Sequence, residues 1–197
     1  MSICRRRKLV LIAFATLVTS PVFAATPVDA VEFIRKVPDY RRAVESVTQQ
    51  YEGSLRTHCA SVQLSWDNAK VHIAAQPTLD AQGHIVNGVW VETVPGEACG
   101  QHRQYNAVAV FRDGQSSVLP LFPGESESNP VLQMDTIIHV ATALTVKGVL
   151  PKGCHIDVLE TQLPDGHPEQ GTPWNERWRV DACNKQYWAK VDRKSVV

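Results

Sequence analysis

The stretch Trp174-Asn175-Glu176-Arg177-Trp178-Arg179-Val180-Asp181-Ala182-Cys183-Asn184-Lys185-Gln186-Tyr187-Trp188-Ala189-Lys190-Val191 decides the fold. Apolar residues recur at every second position on both sides of a short polar centre, the pattern of two half-buried strands joined as a hairpin. With Asn184-Lys185 as turn residues, Ala182 faces Tyr187, Val180 faces Ala189 and Trp178 faces Val191. All six then share one face, while Arg179, Asp181, Trp188, Lys190 and Asp192 share the other. A slip of one residue would mix the two sets, because side chains alternate along a strand.

Working back from this hairpin, Cys154–Glu160 reads as a further strand, and the Pro- and Gly-rich run Leu163–Pro173 as the loop between. Nearer the N-terminus, Val62, Leu64 and Trp66 alternate with polar residues. Asp67-Asn68 supplies a turn and Val71, Ile73 and Ala75 alternate again, which predicts a second hairpin. After a break at Pro77–Gly83 come His84–Val94, with Gly88 as a bulge, and Tyr105–Phe111, apolar on both faces as in a central strand. Arg112-Asp113-Gly114 then turns the chain into Ser117–Phe122.

Two segments have helical period instead. Pro38-Asp39 opens one, with Tyr40, Val44, Val47 and Tyr51 on one stripe and Gly53 at its stop. Asn129-Pro130 caps the other, in which Met134, Ile137, Ile138, Ala141 and Leu144 share a face up to Lys147 and Gly148. Residues 25–37 read as a tether or short helix. Strands in runs with helices at their ends predict one α+β domain over residues 38–197: an antiparallel sheet of about seven to eight strands, two main helices and two disulfides.

The N-terminus predicts export. Arg5-Arg6-Arg7-Lys8 precede the apolar run Leu9–Val18, Ser20-Pro21 break it, and Val22-Phe23-Ala24 offer a cleavage site after Ala24. A basic start, about ten apolar residues and small residues at the cleavage site define a secretory signal over residues 1–24. The run is too short to span roughly 30 Å of hydrocarbon, so no membrane span is expected after processing. The expected location is the periplasm or the exterior. Processing removes four of 20 basic residues and none of 20 acidic ones, leaving a charge of −4. That balance excludes the basic footprint needed for nucleic acid.

Processing also takes Cys4, leaving Cys59, Cys99, Cys154 and Cys183, an even number that reads as two disulfides in an oxidising compartment. Cys59 and Cys154 begin strands, whereas Cys99 and Cys183 follow or end them. Neighbouring antiparallel strands place starts beside ends, so the expected pairs are Cys59–Cys99 and Cys154–Cys183. One tension is that Cys183 has the parity of the polar face and Cys154 that of apolar Ile156. A crude internal repeat, Trp90 with Ala98-Cys99 and Trp178 with Ala182-Cys183, accompanies this pairing.

No catalytic constellation is evident. Seven histidines form no His-x-His or His-Glu-x-x-His motif, and Cys99-Gly100-Gln101-His102 and Cys154-His155 lose metal affinity once oxidised. No metal and no cofactor are therefore expected. Neither Ser116-Ser117 nor Ser126 lies in a nucleophile elbow, and His139, between Ile138 and Val140, reads as a structural histidine. The carboxylate pairs Glu125/Glu127 and Glu92/Glu97 suit helix ends and surfaces better than acid catalysis.

Aromatic residues give the binding signal. Trp174 and Trp188, with Arg179 and Lys190, are the candidate binding residues, Trp188 being placed on the polar face to stack on a sugar or anchor a protein. Leu121-Phe122-Pro123-Gly124 to Asp135 and Trp174 to Lys190 resemble small, uncharacterised exported proteins of Gram-negative bacteria, a resemblance that implies export and no activity. The resulting expectation is a non-enzymatic binding protein of inhibitor, immunity or envelope-associated type, with a protein or envelope glycan as partner. The alternatives are an envelope-polymer hydrolase, which would gather His84, His102 or His155 with Glu92 or Glu97 in a cleft, and a redox or metal-handling protein.

Overall fold

The computed structural model describes residues 27–193 apart from 57, 152 and 170; the signal peptide and its cleavage after Ala24 lie outside them. In order come helices α1 (Pro27–Arg35) and α2 (Pro38–Ser54), strand β1 (Val62–Leu64), a 3-10 turn (Trp66–Asn68) and strand β2 (Lys70–Leu79). Strands β3 (Ile85–Ala98), β4 (Gln101–Arg112) and β5 (Gln115–Leu121) follow, then helix α3 (Pro130–Val146) and strands β6 (Ile156–Gln162), β7 (Trp174–Ala182) and β8 (Lys185–Arg193). The fold is α+β and every strand pairing within its sheets is antiparallel.

The strands form two sheets, not the single one expected: β1 and β2 with β3, β4 and β5, and separately β6-β7-β8. Helices cover one face of each. Ala30, Val31, Tyr40 and Val44 from α1 and α2 pack on Trp90, Val94, Ala107, Ala109 and Phe111 of the larger sheet. Val140, with Ile137 and Leu144 of α3, packs on Val158, Trp178, Val180 and Val191 of the smaller. The backbones of the two sheets are joined at a strap, Pro123 to Glu125, where Thr161 N–H donates to Pro123 O at 2.7 Å and Glu125 N–H to Thr161 O at 2.8 Å, and Arg103 of β4 reaches Leu159 O of β6 beside it. One residue of contact cannot extend a ladder, so the sheet is cut there.

Several local expectations are corrected. The segments around Trp66 do not form a hairpin: β1 pairs with Gly96–Ala98 and β2 with Ile85–Thr93, so both run along the same edge of β3, with the 3-10 turn as an interruption. β2 continues through Pro77, which an edge strand tolerates; one of its register shifts, between Ala75 and Thr78, falls opposite Gly88, whose Cβ would lie 3.1 Å from Pro77 Cα. Gly53 lies inside the last turn of α2, and Leu55 is the C-cap.

The terminal hairpin turns one residue earlier than expected, which shifts each cross-strand partner by two residues and so keeps the faces. Ala182 pairs with Lys185, Val180 with Tyr187, Trp178 with Ala189 and Glu176 with Val191. Cys183 and Asn184 form the turn, with φ of 53° and 66°. Positive φ at both central residues is what a tight right-twisting hairpin requires, and Asn tolerates it better than Lys. Cys99-Gly100 and Asp113-Gly114 repeat the device.

Disulfides join Cys59 to Cys99 and Cys154 to Cys183, with Cα separations of 5.7 and 5.6 Å. In both halves a cysteine just before a first strand is tied to the first residue of a tight hairpin turn, β3–β4 for Cys99 and β7–β8 for Cys183. The parity tension therefore disappears, because Cys183 is in a turn and Cys154 precedes its strand. Two disulfides fit an oxidising compartment. Among the described residues no helix is long and apolar enough to cross a membrane.

Candidate functional site

Strand alternation sets the outer face of the small sheet. Trp174, Glu176, Trp178 and Val180 point toward α3, so Asn175, Arg177 and Arg179 point away, opposite Asp192, Lys190 and Trp188. Trp188 is 45% exposed, with Pro164 and Asp165 of the Leu163–Pro173 loop beside it. Arg177, diagonal to it across the strands, holds its guanidinium 4.7 Å above the ring. Pro164, Asp165, Asn175 and Lys190 complete a recess of about 420 Å³ beside the indole.

Of the four candidate binding residues the structure therefore brings Trp188 and Lys190 together, with Arg179 as the cross-strand neighbour of Trp188. Trp174 is not with them. Its indole N–H donates to Glu176 at 2.9 Å on the opposite face. Arg177, which the sequence reading passed over, was legible from parity alone once Trp188 was placed outward.

The same face runs into a larger cleft. The ends of β1, β3 and β4, the 3-10 turn and the strap form one side, and β6 with Arg179 the other, enclosing about 1220 Å³. Pro164 borders both the cleft and the Trp188 recess. Glu97 and His102 lie in it 3.8 Å apart, with Asp67, Glu125 and Glu160. Arg179 bonds Glu160 at 3.0 Å, and Arg103, at the floor, lies 3.4 Å from the fully buried Glu52.

The other candidate groups are scattered. His84 bonds Asp80 at an exposed turn, and the His84 backbone N–H, helped by its side chain and the Gln82 N–H, holds the Asp80 carboxyl below its usual range. His155 bonds Asp157 at 2.8 Å beside the second disulfide, and His167 bonds Glu127 at 2.6 Å. Glu92 is not a partner of Glu97: it is buried under the helices, accepting from Tyr40 at 2.7 Å and Arg35 at 2.5 Å. Burial, then the Glu92 charge, pushes the Tyr40 hydroxyl far above its usual range. Among the described residues no three His, Cys, Asp or Glu side chains converge to hold a metal.

α3 presents a second exposed surface. Of the face expected to be buried, Ile137 and Leu144 pack on the small sheet, but Met134 and Ile138 point to solvent with Val131 and Val146, and His139 is exposed. Gln133, Thr136 and Val140 are buried instead. The Gln133 amide explains the choice: its oxygen accepts from Phe122 N–H at 2.8 Å and its nitrogen donates to Ser128 O at 3.2 Å, which fixes that face against the strap.

No protein-family model, no curated protein and no solved structure matches the chain.

Proposed function

We propose that the chain is an exported, non-enzymatic binding protein, acting in the periplasm or outside the cell after cleavage near Ala24, and that it docks a protein partner on the outer face of β7 and β8. The exposed Trp188 carries this reading. A tryptophan left in water on a rigid two-strand platform, with an arginine fixed over it, has the composition and geometry of an interface anchor. The −4 charge of residues 25–197 keeps nucleic acid and anionic membranes out of consideration.

The pairing of His102 with Glu97 in a cleft is the observation that favours the hydrolase reading. Both side chains stand largely in water, 87% and 49% exposed, so nothing excludes solvent from the pair as acid–base chemistry on a polymer requires.

The test is partner capture from an envelope extract by immobilised wild type and by Trp188→Ala. Recovery that falls at least about tenfold in the variant supports the anchor role; equal recovery removes it.

A further inference from the structure

We propose that the cleft between the two sheets receives an extended, cationic peptide segment of the partner. This rests on the reading of the chain as a protein-binding protein and adds the chemistry of what it holds. At about 1220 Å³ the cleft exceeds the roughly 300–1,000 Å³ of a small-molecule pocket, and it is open enough for a stretch of chain.

Three carboxylates from three separate segments face this space: Asp67 on the 3-10 turn, Glu97 near the end of β3 and Glu125 on the strap. Among the described residues none of them has a Lys or Arg within ion-pair distance, and Glu97 meets only His102. The two arginines of the cleft are already committed, Arg103 to Glu52 and Arg179 to Glu160. The uncompensated charge is therefore negative, and it attracts cations along the whole rim.

The floor supplies an independent observation. The Arg103 side chain is only 6% exposed, yet its hydrogen bonds to Leu159 O and Gln101 Oε1 are long, 3.4 and 3.3 Å. Its Nε–H faces Glu52 Oε1 at 3.4 Å, outside hydrogen-bond geometry. A nearly buried guanidinium with slack bonds gains from a further acceptor, and the main-chain carbonyls of an extended peptide provide acceptors between its side chains. Lysine or arginine side chains then reach the rim carboxylates, with their aliphatic stems against Leu64 and Trp66. A neutral glycan offers the acceptors without the cations.

The experiment measures binding of three short fluorescein-labelled peptides, alternating lysine, glutamate or serine with glycine, to the full mature protein by anisotropy. The lysine peptide should bind at least about tenfold tighter than the other two, and Glu97→Gln with Glu125→Gln should remove about tenfold of that affinity. Asp192→Asn, an exposed carboxylate away from the cleft, should leave it unchanged. Circular dichroism confirms that each variant is folded. No binding of the lysine peptide, no preference for it, or equal losses in the cleft and Asp192 variants would overturn the proposal. Loss of partner capture in Trp188→Ala alongside such a result would leave the docking face standing and remove only the cationic segment.

Discussion

Glu176 is fully buried, and no salt bridge among the described residues reaches it; N–H and O–H groups satisfy its oxygens, and the Arg193 charge acts on it from farther off. Ser126, Ser128, Trp174 and the Glu127 N–H all donate to one oxygen, at 2.9 to 3.3 Å, and Trp178 to the other at 2.7 Å. The carboxylate thus fixes the loop before α3 and both indoles at once. Glu176→Ala would strand several buried donors, and an expected loss of at least about 3 kcal/mol follows from leaving such groups unpaired; urea unfolding measures it, and a loss below 1 kcal/mol would contradict the role. Glu92 and Glu52 are buried too, receiving hydroxyls from Tyr40 and Tyr105, but each also has an arginine beside it, Arg35 and Arg103. Patterns of apolar residues treat glutamate as outward, so these three were invisible to periodicity. The trace that existed was parity, since Glu92 shares the face of Trp90 and Val94, and Glu176 that of Trp174 and Trp178.

Elements were legible where local chemistry alone determines them. Proline and an acidic residue at the start of α2, the Asn129 side chain accepting from Leu132 N–H at 2.9 Å, and the Asp113-Gly114 turn all form where their residues dictate. The disulfide pairing belongs with them, because it follows from which strand ends are adjacent. What depends on distant contacts was not legible. α3 is apolar nearly all round, so its sequence cannot say which side is inside; the strap decides, through Gln133. The cut between the sheets is likewise a property of the strap. Gly124 makes that contact possible: its φ is +99° and a Cβ there would lie 2.1 Å from Thr161 O. Gly124→Ala is expected to cost about 2–4 kcal/mol from steric overlap and an unfavourable backbone conformation. Chemical denaturation reads the cost, and a change within 0.5 kcal/mol would mean that the strap does not hold the sheets together.

At the scale of the whole molecule, the buried tyrosines tie stability to alkaline pH. Burial raises the Tyr40, Tyr51 and Tyr105 hydroxyls, with Glu92 adding to the effect at Tyr40 and Glu52 at Tyr105. Their folded pKa values exceed the unfolded value near 10, so the native state keeps protons that the unfolded chain releases. Stability from these groups is complete below about pH 10 and falls above it, by about 4 kcal/mol per pH unit if all three remain protonated. Urea unfolding at rising pH, with tyrosinate absorbance followed alongside, should show three of the four tyrosines ionising only as the chain unfolds; ionisation of the folded protein near pH 10 would contradict this. Two cross-links, closing sequence separations of 40 and 29 residues, add about 3.5–4 kcal/mol each by restricting the unfolded chain. Held this way, the molecule offers two exposed surfaces for a partner, the Trp188 face and the outer side of α3. Equilibrium binding of the captured partner to Trp188→Ala and to Ile138→Asp separates them. Trp188→Ala should weaken binding by at least about tenfold while Ile138→Asp leaves it unchanged; the reverse pattern would place the partner on α3 and contradict the assignment of the docking face.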